Sequence, residues 1–146
     1  MTARPAAKTT AKLSLIHVNW VGGHRFDAGR PEGPTARIDG EGETGQSPPE
    51  TLLRALATCV SYDVIDILAK QRTPIESLEI DVVGERVDTI PRRYNYITLN
   101  FKIGGKGIEK EQALRAIDLS ATKYCSVRES LRPDIQVAWT VEILGT

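Results

Sequence analysis

The hydrophobic pattern of the chain changes period at Ser47. Upstream, apolar residues cluster over short, alternating spans. Downstream they recur every three or four positions. In the first part, Lys12 to Trp20 (KLSLIHVNW) is rich in β-branched and apolar side chains and predicts a strand, with Ile16, Val18 and Trp20 on one face. Val21-Gly22-Gly23 predicts a turn, His24 to Ala28 a second short strand, Gly29 to Pro34 another turn, and Thr35 to Asp39 a third short strand. Gly40 to Gln46 (GEGETGQ) reads as a flexible acidic loop, with no side chain able to fill a core.

Ser47-Pro48-Pro49-Glu50 has the form of a capping box, with Ser as N-cap, Pro at the first helical position and Glu at the third. Leu52, Leu53, Leu56, Val60, Val64, Ile67 and Leu68 then keep a helical period, with Cys59 on the same stripe. The helix is expected to run to about Gln71, short of Pro74, and to form the buried centre of the domain. Leu78 to Val87 and Tyr94 to Ile103 predict two strands around a turn containing Pro91. In the second, Ile97, Leu99, Phe101 and Ile103 alternate with Thr98, Asn100 and Lys102, the pattern of a sheet with one wet face. A helix is expected from Glu109 to Lys123, with Ala113, Leu114, Ile117 and Ala121 inward. A short helical turn over Ser126 to Leu131 and a last strand over Ile135 to Ile143 complete the series. The order βββ-α-ββ-α-β is that of an α+β fold.

Composition narrows the function. At 146 residues the chain suits one domain, expected over residues 13–146 behind a flexible tail at residues 1–12. Nineteen basic and nineteen acidic residues cancel, which argues against a nucleic-acid partner. No apolar run approaches the roughly 20 residues that span a bilayer, so no membrane partner is expected. The polar start lacks the apolar core of a secretory signal, and two cysteines without a signal indicate a reducing compartment, the cytoplasm.

Those cysteines are the main candidates for chemistry. Cys59 lies mid-helix on an apolar stripe, where a thiol is often only a small buried hydrophobe. A reactive thiolate there needs a cation from elsewhere in the fold, because the helix dipole fades after the first turn. Cys125 sits at a helix break, where a resolving thiol has room to move. Arg37, in the short strand before the acidic loop, and Arg25, in the Gly23-His24-Arg25 turn, are the two candidate cations. Glu50 precedes Cys59 by nine positions, roughly 13 Å along the axis and on the opposite face, so contact between them within one chain is not expected. A zinc site from His17, His24, Cys59 and Cys125 matches no short ligand motif. The chain has no GxSxG, and Gly104-Gly105-Lys106-Gly107 lacks the spacing of a phosphate loop.

Ser47-Pro48-Pro49-Glu50-Thr51-Leu52-Leu53 with Ala55-Leu56-Ala57-Thr58-Cys59 resembles the central helix of the OsmC/Ohr family, and Tyr124-Cys125-Ser126-Val127 resembles its second cysteine motif. The resemblance extends from about Leu13 to Ile143. It implies a long central helix packed on antiparallel sheets, in an intertwined homodimer with two active sites at the subunit interface. It also implies a peroxidatic Cys59, a resolving Cys125 and an activating Arg37–Glu50 pair. Arg37-Ile38-Asp39-Gly40-Glu41 looks like the arginine-bearing strand end of OsmC proper; in Ohr proteins the arginine comes from an earlier loop, and Arg25 would be its match. The implied substrate is an organic hydroperoxide. No cofactor or metal is implied, only an external dithiol reductant such as a lipoyl or thioredoxin-like protein. Ala116-Ile117-Asp118-Leu119-Ser120 looks like a less characterised branch of the family. A non-catalytic dimeric binding protein with structural thiols is the alternative reading.

Overall fold

The computed structural model describes residues 12–145, so the tail expected over residues 1–12 lies, Lys12 apart, outside the described residues. The chain divides into two compact units, with the boundary between Pro48 and Pro49. The first is an antiparallel meander of β1 (His17–Trp20), β2 (Arg25–Gly29) and β3 (Thr35–Asp39). Its first strand is shorter than the sequence pattern predicts. Pairing runs only from His17 opposite Gly29 to Trp20 opposite Phe26, and β2 has no further residues to offer a longer partner. Ile16, Val18 and Trp20 are each more than half exposed.

The register of β2 on β3 sets Arg25 opposite Asp39 and Asp27 opposite Arg37. Two Arg-x-Asp tripeptides thus face each other in opposite directions, and each arginine meets the other's aspartate on one face of the sheet. The loop after β3 is more ordered than its composition suggests. Asp39 is fully buried and accepts hydrogen bonds from the backbone N–H groups of Glu41 and Thr44, both at 2.9 Å, and from the Thr44 hydroxyl at 2.7 Å.

The second unit begins with α1 (Pro48–Lys70), which starts directly after Ser47 as the capping pattern expects. Leu56, Val60, Val64 and Leu68 are fully buried at successive turns. The helix thus supplies a row of the core, but it is one-sided in the single chain: Leu52, Tyr62 and Ile65 stand on its open side. β4 (Ser77–Arg86) pairs antiparallel with β5 (Tyr94–Gly104), but β6 (Gln136–Leu144) runs parallel to β5. The wholly antiparallel arrangement expected therefore holds for the first sheet only. A parallel neighbour needs a crossover, and α2 (Lys110–Leu119) supplies it.

The inward row of β5, Ile97, Leu99, Phe101 and Ile103, is buried and joins the α1 row and Ala113, Ala116 and Ile117 of α2 in one core. Gly84 of β4 faces this core where a Cβ would meet the Tyr94 ring at 2.6 Å and a Leu53 methyl at 2.9 Å, so a larger residue fits only if those side chains shift. A Glu109–Gln112 capping box starts α2. The Gln112 amide donates to Gln71 at 2.8 Å and to Thr73 at 2.9 Å, tying α2 to the end of α1. The helix expected through Lys123 ends earlier. From Ser120 to Tyr124 the backbone widens into one π turn, closed by the Cys125 N–H on the Ser120 carbonyl at 2.8 Å. The short α3 (Ser126–Ser130) comes directly after it.

Candidate active site

The second unit brings the two cysteines together across sixty-six positions of sequence. Cys59 projects from α1 and is partly buried against the core, whereas Cys125 is buried with 4% of its surface exposed. Cys59 is therefore less buried than its place on the apolar stripe predicts. Both thiols are free. The Cys125 thiol lies close enough to Cys59 to feel it electrostatically, and the Arg128 N–H donates to the Cys125 sulfur at 3.3 Å, so Cys125 is the N-cap of α3.

Opposing influences act on the Cys125 proton. Burial raises its pKa most, the Arg128 N–H lowers it, and the neighbouring Cys59 raises it further. Burial wins, and the thiol is pushed up to about 11. Cys125 is therefore a protonated thiol near neutral pH, able to donate to its neighbour. The outer side of Cys59 opens into a groove of about 590 Å³ lined by Ala55, Thr58, Tyr62 and Asp63 of α1 and by Tyr124, Ser126 and Val127 around Cys125. Sequence reasoning missed Tyr62, Asp63 and Tyr124. Their signal was helical spacing from Cys59 for the first two, and adjacency to Cys125 for the third.

In the first unit, Arg37 grips Asp27 with both edges of its fork, Nε at 2.6 Å and Nη2 at 3.3 Å, while Nη1 reaches Thr44 at 3.5 Å. The contact holds the Asp27 carboxyl below its usual range and raises the guanidinium. Arg25 is held less firmly, 3.6 Å from Asp39 and 3.8 Å from Glu43. No local signal marks Asp27 as the carboxylate on Arg37, because the pairing depends on strand register. Glu50 lies in the first turn of α1, close enough to Tyr94 for its charge to raise that phenol, although burial is the larger cause. Of the two histidines, His24 meets Glu41 at 2.7 Å. Among the described residues no cluster of three or more His, Cys, Asp or Glu forms a metal site, and no helix is long and apolar enough to cross a membrane.

A buried, protonated thiol that caps one helix and lies beside a part-exposed thiol on another defines an α+β protein built around a cysteine pair. The family pattern described as OsmC-like protein matches residues 40–140. Protein YhfA of Escherichia coli (strain K12) is 34% identical over 129 residues, covering 88% of this chain and 96% of that protein. The chain belongs to the OsmC-like family. A crystal structure of a hypothetical protein from Aquifex aeolicus VF5 superposes with a TM-score of 0.79 at 26% identity, covering 92% of this chain and all of that one. The organic hydroperoxide resistance protein OhrB of Bacillus subtilis has the same fold, with a TM-score of 0.59 at 17% identity over 93% of this chain and 100% of its own.

Proposed function

We propose that this protein reduces organic hydroperoxides to alcohols in oxidative-stress defence, using Cys59 as the attacking thiol and Cys125 as the resolving one. The observation that carries the reading is a buried Cys125 placed beside a Cys59 that borders an open groove. A peroxide reaches Cys59 from that groove, and the second thiol is already beside it, still protonated. The Cys59 thiolate attacks the terminal oxygen of ROOH; the O–O bond breaks, Cys59 becomes a sulfenic acid, and the alkoxide takes a proton to leave as ROH. The Cys125 sulfur then displaces water from the sulfenic acid to form a disulfide, and an external dithiol returns two electrons. Two relatives of the fold, from Bacillus subtilis and Legionella pneumophila, are named organic hydroperoxide resistance proteins.

Arg37 is the cation assigned to the peroxide and the thiolate. The two-point grip of Asp27 fixes the direction of its guanidinium, which the looser pairing of Arg25 does not do. Glu50 is assigned a supporting role at the site, within a homodimer that covers the exposed Val18 and Trp20 side chains. The test is a thiol count under denaturing conditions after treatment of the reduced protein with cumene hydroperoxide. Rapid loss of both thiols, abolished by Cys59→Ser, is expected. Retention of both would sink the reading and leave a binding protein with structural thiols.

A further inference from the structure

Ser120 has no part in the peroxide chemistry, yet all of its polar groups are engaged, two of them between the segments that carry the cysteines. It is fully buried. Its hydroxyl donates to the carbonyl of Val60, the residue after Cys59, at 2.7 Å. Its carbonyl accepts the Cys125 N–H at 2.8 Å, the bond that closes the π turn. Its own N–H returns to the carbonyls of Ala116 and Ile117. One residue thus joins the backbone beside the first thiol to the backbone of the second.

The ordinary habit of a helical hydroxyl is to bond a carbonyl in its own preceding turn. Thr58, Ser61, Thr122 and Ser130 all do so, on Arg54, Ala57, Asp118 and Ser126. Ser120 instead reaches across sixty positions to another helix. A π turn adds one residue to a helical turn and re-aims the chain beyond it, and such turns recur at functional sites. Here the re-aimed residue is Cys125.

We infer that Ser120 is a positioning residue for the cysteine pair: its hydroxyl on Val60 and its carbonyl on Cys125 hold the two sulfurs in register for disulfide exchange. The inference rests on the proposed exchange between Cys59 and Cys125, but its test does not use peroxide. Trans-4,5-dihydroxy-1,2-dithiane, the oxidised form of dithiothreitol, accepts two electrons from the pair, so one intrachain disulfide forms for each dithiothreitol released. The equilibrium constant of that exchange measures how well the fold presents the two sulfurs.

Ser120→Ala is expected to lower this constant about tenfold, an upward shift of about 30 mV in the potential of the pair. Ser61→Ala is the matched control, since Ser61 is also buried and donates to an α1 carbonyl at 2.7 Å. It removes a bond internal to one helix, not one between the two cysteine-bearing segments, and is expected to leave the constant within about twofold of the native value, a shift of under about 10 mV. Equal shifts in the two variants, or none in Ser120→Ala, overturn the inference. A second measurement needs no variant: the Cys125 amide should keep its hydrogen-exchange protection after oxidation, because the π turn is the frame on which the disulfide closes. Loss of that protection on oxidation also overturns the inference. A protein inert to cumene hydroperoxide but normal in the dithiothreitol equilibrium would defeat the peroxidase reading and leave this one standing.

Discussion

The buried proton on Cys125 makes stability depend on alkaline pH in a way that one substitution should remove. Its folded pKa of about 11 lies above the ordinary 9.0 of a thiol, so the fold favours the protonated form. The resulting stabilisation is fully present below the unfolded value and is lost as pH rises through the folded one. The whole gap corresponds to roughly 3 kcal/mol at 1.36 kcal/mol per decade, of which about 2 kcal/mol is lost between about pH 8 and about pH 10.5. That is about a thirtyfold change in the ratio of folded to unfolded protein.

Urea unfolding in a phosphine reductant, followed across this range, measures the loss. Cys125→Ser is the comparison because a serine oxygen still accepts the Arg128 N–H that caps α3. Tyr94 also titrates above its ordinary value, chiefly because it is buried. That contribution is common to both proteins and cancels in the difference. The native chain should therefore lose about 2 kcal/mol more than Cys125→Ser over the interval. Parallel curves for the two proteins would refute the claim that burial holds a proton on Cys125.

Four further outcomes are tied to particular contacts. Phe101→Ala, at a side chain 1% exposed in the central strand, should cost about 3–5 kcal/mol in the same urea experiment. Gly84→Ala should destabilise by roughly 1–3 kcal/mol, because the new methyl meets the buried Tyr94 ring, which has to shift to admit it. Arg37→Ala should slow cumene hydroperoxide consumption about 10²–10³-fold with Arg25→Ala close to native, as expected for loss of one preorganised donor; the opposite ranking would move the role to Arg25. The Asp39 carboxyl is held well below its usual range by Thr44 and Glu41, so the loop it organises is stabilised above the ordinary carboxylate pKa and loosens as pH falls through the folded value. Asp39→Asn should release the Glu41 and Thr44 amides to faster hydrogen exchange at neutral pH.

The readable parts of this chain are those governed by period and punctuation. Thr35–Asp39 is legible to the residue, and α1 ends within one residue of the expected position, because alternation, Ser47-Pro48 and Pro74 are local signals. The features that escape sequence reasoning depend on register and distance. Arg25-Phe26-Asp27 and Arg37-Ile38-Asp39 look like two unrelated charged tripeptides until antiparallel pairing sets each arginine on the other's aspartate. The Glu109 to Lys123 stretch has one continuous helical pattern, and nothing in it marks the change to a π turn at Ser120 except a hydroxyl on the inward face. That hydroxyl is costly to bury without a partner, and its partner lies sixty positions away on the other helix. The residue that breaks the helical period is thus the one that anchors the break, and the break carries Cys125. A polar residue that interrupts an otherwise apolar stripe just ahead of a cysteine is, in this fold, the local trace of a long-range constraint on the thiol pair.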